Sequence, residues 1–305
     1  MEDSKMLPDP DTSALSKFPP QLAQEFEKAW DIMSASKDLT QLEAWADFGM
    51  SLANKTSRSW ETAVRYFGAS PKIANMMPHS YFLKWSECGL NLCEQSPQLA
   101  SSYFEASPYV MARLRSRHIE GWANLGQRLY KGTWKSGALS SKYFEISPGL
   151  IANLSMSEME KFVRFLELLA LRSNDVAIEC LVLANTVFSL VGSDKEIILS
   201  LASNLIETNW KQVKAFFEVA SEALPRLEQC QRTHFVTLIS ELQNAAGTIN
   251  VPTTMIELSD AMGRVGKDLQ GPVLSLSEQL LEVSWDAAPE FIQTAPKVLE
   301  TLALN

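Results

Sequence analysis

Apolar residues recur at intervals of three and four along most of this chain, and the period seldom changes. In LTQLEAWADFGMSLANK, residues 39 to 55, Leu42, Trp45, Phe48 or Gly49, and Leu52 fall on one helical face. The next segment, TAVRYF, sets Ala63 and Phe67 four apart, a small and a large residue suited to packing on the first helix. No stretch alternates apolar and polar positions as an exposed strand does, and no Asn-Gly or Asp-Gly hairpin turn occurs. The pattern predicts an all-α fold.

The pattern also repeats. Trp45, Trp85 and Trp122 are each followed four residues later by a glycine, Gly49, Gly89 and Gly126, and three residues further by Leu52, Leu92 and Leu129. The aromatic pairs Tyr66-Phe67, Tyr103-Phe104 and Tyr143-Phe144 come next, and each leads into a Ser-Pro pair ending in Pro71, Pro108 or Pro148. Successive repeats are offset by 37 to 40 residues.

Fainter copies follow. AFFEVASEALPRL, from Ala215, reads against SYFEASPYVMARL, from Ser102, and EFIQTAPKVLETL, from Glu290, against RYFGASPKIANMM, from Arg65. The intervals 158–194 and 232–268 each hold one further degenerate copy, which gives about seven repeats. The expected organisation is a disordered tail over 1–18 and a single solenoid over 19–305, well marked over 39–157 and degenerate over 158–305.

Two markers predict local geometry. A glycine costs about 1 kcal/mol inside a helix, so its place beside each Trp predicts a close approach by the neighbouring helix. Serine is a favoured N-cap and proline a favoured first helical residue. The second helix should therefore end at Ser70, Ser107 and Ser147, and a short third helix should begin at the proline. The expected architecture is a right-handed α-solenoid of three-helix repeats, 37–40 residues each.

The Trp, Gly, Leu, Ala and Phe spacing resembles the tetratricopeptide pattern, with a longer period and an earlier proline; the chain is tetratricopeptide-like or armadillo-like. More specifically, Trp-x3-Gly and Tyr-Phe-x2-Ser-Pro look like the helical region before the von Willebrand A domain in NorD-type activation proteins. That resemblance implies a scaffold or adaptor beside a MoxR-type AAA+ ATPase in metalloenzyme maturation. The DxSxS metal motif of the von Willebrand domain is missing, so metal-dependent adhesion does not carry over.

Composition narrows the classes. Residues 1–38 hold 4 Lys+Arg against 8 Asp+Glu, residues 39–157 hold 12 against 8, and residues 158–305 hold 11 against 20, for a total of −9. An acidic balance argues against a dedicated nucleic-acid binder. The most apolar window, Val176 to Val191, contains Glu179 and Asn185 and is short for a membrane span. Four cysteines without a CxxC pair, and no basic-then-apolar leader, point to a reduced cytoplasmic protein.

Chemistry is sparse. His79, His118 and His234 have no metal-binding context, and no GxGxxG, GxxxxGK[ST] or GxSxG motif occurs, so no cofactor or metal is expected. Arg113, Arg115 and Arg117, joined by Arg128, Lys131 and Lys135, form the densest basic region and a candidate site for an acidic partner segment. Trp60 and Trp134 each open a second helix and are candidate contact residues.

The leading expectation is a non-catalytic scaffold that binds a protein or peptide. Its alternatives are the ATPase adaptor and an enzyme in which Glu87, Glu94, Glu105 and Glu120 converge on a cleft. The last repeat lacks a polar outer face, so self-association through it stands as a further expectation.

Overall fold

The computed structural model describes residues 15–132, 137–192, 195–246 and 249–303. Among these residues there are helices and no strands. The chain divides into two compact units, Met1–Ala152 and Asn153–Asn305.

One helix, α1 (Pro20–Ser34), precedes seven helix pairs among the described residues. In the N-terminal unit these are α2 (Leu39–Asn54) with α3 (Trp60–Met76), α4 (His79–Gln95) with α5 (Pro97–Met111), and α6 (Ile119–Lys131) with α7 (Gly137–Asn153). In the C-terminal unit they are α8 (Met156–Ala170) with α9 (Asn174–Leu190), α10 (Lys195–Asn209) with α11 (Gln212–Ala223), α12 (Gln229–Ala246) with α13 (Val251–Arg264), and α14 (Lys267–Val283) with α15 (Ala287–Ala303). Within each unit first helices pack on first helices, as α2 on α4 and α10 on α12, and second helices on second helices, as α3 on α5 and α11 on α13. This nearest-neighbour layering makes the protein a helical-repeat protein, solenoid-like in arrangement.

The close approach at the glycines is present. A Cβ added at Gly49 would lie 2.0 Å from the Phe67 ring, at Gly89 1.9 Å from Phe104, and at Gly126 2.2 Å from Phe144. Each ring also meets the Trp of its own repeat edge-on, with centroids 5.0 Å apart for Trp45 and Phe67 and 5.1 Å for the other two pairs. The tyrosines link one repeat to the next: Tyr66 stacks on Trp85 at 5.3 Å and Tyr103 on Trp122 at 4.9 Å. Phe26 of α1 stacks on Trp45 at 5.4 Å and so takes the tyrosine's place for the first repeat. The helix α1 is thus a half-repeat that carries neither Trp-x3-Gly nor Ser-Pro.

The junctions differ from expectation. Pro71, Pro108 and Pro148 lie inside α3, α5 and α7, so no separate third helix forms. Their serines do not cap. Ser70, Ser107 and Ser147 donate back to the carbonyls of Tyr66, Tyr103 and Tyr143 at 2.5, 2.6 and 2.5 Å. Ser107 also accepts from the buried indole Nε1 of Trp85 at 2.8 Å. Burial of Val110 and Met111 beyond Pro108 explains why the helix continues: packing of those two side chains outweighs the hydrogen bond that proline removes. The expected cap-plus-proline start occurs elsewhere, at Ser96-Pro97, where the Ser96 hydroxyl accepts from Leu99 N.

Proline costs about 3 kcal/mol relative to alanine in an unconstrained helix interior. Pro108→Ala should therefore leave the thermal midpoint unchanged or raise it. A clear fall in a calorimetric melt would show that the proline shapes α5 in a way the packing needs.

Residues 15–18, placed by the sequence at the end of the tail, touch the repeats at single points. Leu15 is buried, and Lys17 donates to Asn54 Oδ1 at 2.9 Å.

The degenerate repeats keep the positions and change the residues. Where the early repeats place Trp, Gly and Leu, α8 has Phe162, Leu166 and Leu169, α10 has Ile198, Ala202 and Leu205, and α14 has Gln270, Leu274 and Ser277, all buried. Gln270 fills the tryptophan position by satisfying both ends of its amide, accepting from Glu228 N at 3.0 Å and donating to Met262 O at 3.1 Å.

Charged residues tie neighbouring repeats at their surface. Lys55 pairs with Glu94 at 2.7 Å, Lys84 with Glu120 at 3.1 Å, Lys214 with Glu179 at 2.9 Å and Arg226 with Asp260 at 3.1 Å. Such exposed pairs contribute about 0–1 kcal/mol each. Other cations close helix ends: Lys37 donates to Ala74 O at 3.1 Å, and Arg232 to Leu190 O at 3.3 Å.

Candidate partner-binding groove

The second helices of the N-terminal unit frame a shallow trough. One depression of about 730 Å³ crosses α1, α3 and α5 and is lined by Gln21, Trp60, Val64, Arg65, Ser101 and Glu105, among others. A second, of about 320 Å³, lies between α5 and α7 and is lined by Ser102, Glu105, Tyr109, Glu145 and Pro148. Ser102 and Glu105 line both, so the two depressions adjoin along α5 and together form a shallow trough.

Its walls follow from the helix phase. With Tyr103, Phe104 and Ser107 turned into the core, the opposite side of α5 presents Ser101, Ser102, Glu105 and Tyr109. Thr62 Oγ1 donates to Pro97 O at 2.8 Å and lies 2.9 Å from Ser101 Oγ, which fixes the floor. Arg65 and Glu105 face each other at 4.0 Å across the trough, both more than half exposed. Trp60 stands half-buried at one end, and Tyr109 is 61% exposed at the other. Hydroxyls, amides, both signs of charge and two aromatic rings suit a polar peptide lying across the helices.

Of the residues singled out in the sequence, Trp60 lines the trough. Trp134 and Lys135 lie outside the described residues. The basic region does not form one patch. Arg113, Arg115 and Arg117 are exposed ahead of α6, whereas Arg128 and Lys131 sit in its last turn, about 15–20 Å away at 1.5 Å per residue. Arg113 is also engaged structurally, donating to Pro148 O at 2.9 Å. Spacing in sequence suggested a cluster, and the helix between the two groups separates them. Of the four carboxylates proposed for a cleft, Glu94, Glu105 and Glu120 pair with cations one repeat earlier, and Glu87 is exposed.

A helix starting at Pro108 leaves the direction of Tyr109 open in the sequence. Once α5 runs through Pro108, the helical phase turns Tyr109 outward. Counting in steps of 3.6 from Phe104 would have found it.

A separate depression of about 220 Å³ between α4 and α6 is lined by Cys88, Asn91, Gln95, Asn124 and Gln127. Burial pushes the Cys88 thiol up to about 11, so near neutral pH it is a thiol and a poor nucleophile. Among the described residues, no group of three His, Cys, Asp or Glu side chains is placed to hold a metal ion. Among the described residues, no helix is long and apolar enough to cross a membrane.

Comparison with family models, curated proteins and solved structures yields no match.

Proposed function

We propose that this protein is a non-catalytic helical-repeat scaffold that holds an extended segment of a partner protein in the trough across α1, α3, α5 and α7. The observation that supports this reading is the pair of depressions that adjoin at Ser102 and Glu105, one lined by Trp60 and the other by Tyr109. Exposed aromatic rings beside hydrogen-bonding floors are where binding free energy concentrates in protein interfaces.

The test is selection of peptides from a displayed library on the full chain, followed by titration of the best binder. Trp60→Ala and Tyr109→Ala should each weaken binding tenfold or more, about 1.4 kcal/mol, while the melting curve stays near that of the parent. Arg117→Ala, away from the trough, should change neither. Binding indifferent to both aromatic substitutions would refute the assignment.

The narrower adaptor reading, beside a MoxR-type ATPase, draws on Trp85, Gly89, Phe104 and Pro108 and their counterparts. These residues build the core and so describe a fold more than a partner. Recovery of an ATPase or metalloenzyme subunit with the tagged chain would favour that reading, and recovery of neither would remove it.

A further inference from the structure

The outer side of α14 is an apolar strip that lacks charge. Leu269, Leu276 and Val283 are 41%, 48% and 84% exposed, and their seven-residue spacing keeps them in line along the helix. Lys267 and Glu278 fix the orientation, since they pair with Glu228 and His234 of the α12 side at 2.7 and 2.6 Å. At about 100° per residue that side is opposite the strip. Pro272 and Leu280 lie along the same line, and no charged residue of α14 comes within about 60° of it. By contrast α4, α6, α10 and α12 expose no large apolar side chain.

We propose that this strip joins two copies of the chain, α14 against α14, antiparallel about a two-fold axis at Leu276. The spacing is symmetric about that residue, so Leu276 meets its own copy while Leu269 meets Val283 in both directions, an isologous contact that closes at two. Charge points to the same place. Each copy carries −9, and like-charged chains approach most easily where neither presents a charge. A helix of 17 residues is about 25 Å long, so the contact falls below the roughly 1,200 Å² of a standard interface and the dimer is weak and concentration-dependent.

Sedimentation velocity from low micromolar to several hundred micromolar tests the proposal. The average sedimentation coefficient of the parent should rise toward that of a dimer. Leu276→Glu places two carboxylates at the axis and should weaken association at least tenfold without lowering the melting temperature, because Leu276 is exposed. Leu168→Glu, on another exposed site in α8, should leave association unchanged. In a Cys230→Ser background, mild oxidation should link Leu276→Cys into a covalent dimer faster than Val283→Cys. A parent monomeric throughout, association that survives Leu276→Glu, or preferential linking of Val283→Cys would each overturn it.

Discussion

Phe104→Ala should cost about 3–5 kcal/mol and lower the melting transition of the N-terminal unit by roughly 6–20 °C, given about 2–4 °C per kcal/mol at this size. The ring is fully buried, with its centroid 5.1 Å from that of Trp85 and 5.3 Å from that of Tyr66. Its removal leaves a cavity between two aromatic surfaces fixed by other contacts, and the glycine beneath cannot fill it. Differential scanning calorimetry with Phe104→Ala beside Phe216→Ala of α11 separates the two units, each substitution lowering mainly its own transition. A loss below 1 kcal/mol would mean that the ring does not wedge the repeat.

Gly89→Ala should destabilise by about 1–3 kcal/mol or more through overpacking, although alanine is the better helix former by about 1 kcal/mol. The added Cβ would sit 1.9 Å from Phe104 Cζ, and Trp85 and Tyr66 block the ring from swinging aside. Phe104→Leu should recover part of the loss, so that the double variant is more stable than the sum of the single effects. That coupling, measured by denaturant titration of all four proteins, is the signature of direct contact. Purely additive losses would argue against it. The C-terminal unit offers a natural precedent, since Leu166 at the glycine position is matched by Leu181 at the phenylalanine position, and Ala202 lies in a repeat where Ile198 replaces the tryptophan.

The same contacts explain what was legible in the sequence. Beside a tryptophan the phenylalanine ring leaves room for glycine alone, so early repeats hold both residues unchanged and their register can be read directly; where Ile198 replaces the tryptophan, Ala202 stands with Phe217. Later repeats reach the same filling with Leu166 and Leu181, or with a hydrogen-bonded Gln270, and letter-by-letter comparison finds them only where Phe217 or Pro296 survives. The Ser-Pro junctions depart from their local preference for a physical reason. Serine and proline do start helices, as Ser96 and Pro97 show, but at Ser107-Pro108 the apolar residues on both sides bind the segment to one core, and packing overrides the local preference. The direction of Tyr109, and with it one end of the trough, follows only from the unbroken helix. Separation of Arg117 from Arg128 depended on helix boundaries that spacing alone does not fix.

The stacking of Tyr66 on Trp85 and of Tyr103 on Trp122 has a direction. Each tryptophan rests on a ring that lies earlier in the chain, beginning with Phe26 under Trp45. During synthesis, where N-terminal segments emerge and fold first, every new repeat of the N-terminal unit meets a finished surface already waiting for it. The ribosome can thus release this unit one repeat at a time, and a pause at a repeat boundary leaves uncovered the helix face, its tyrosine included, on which the next repeat packs.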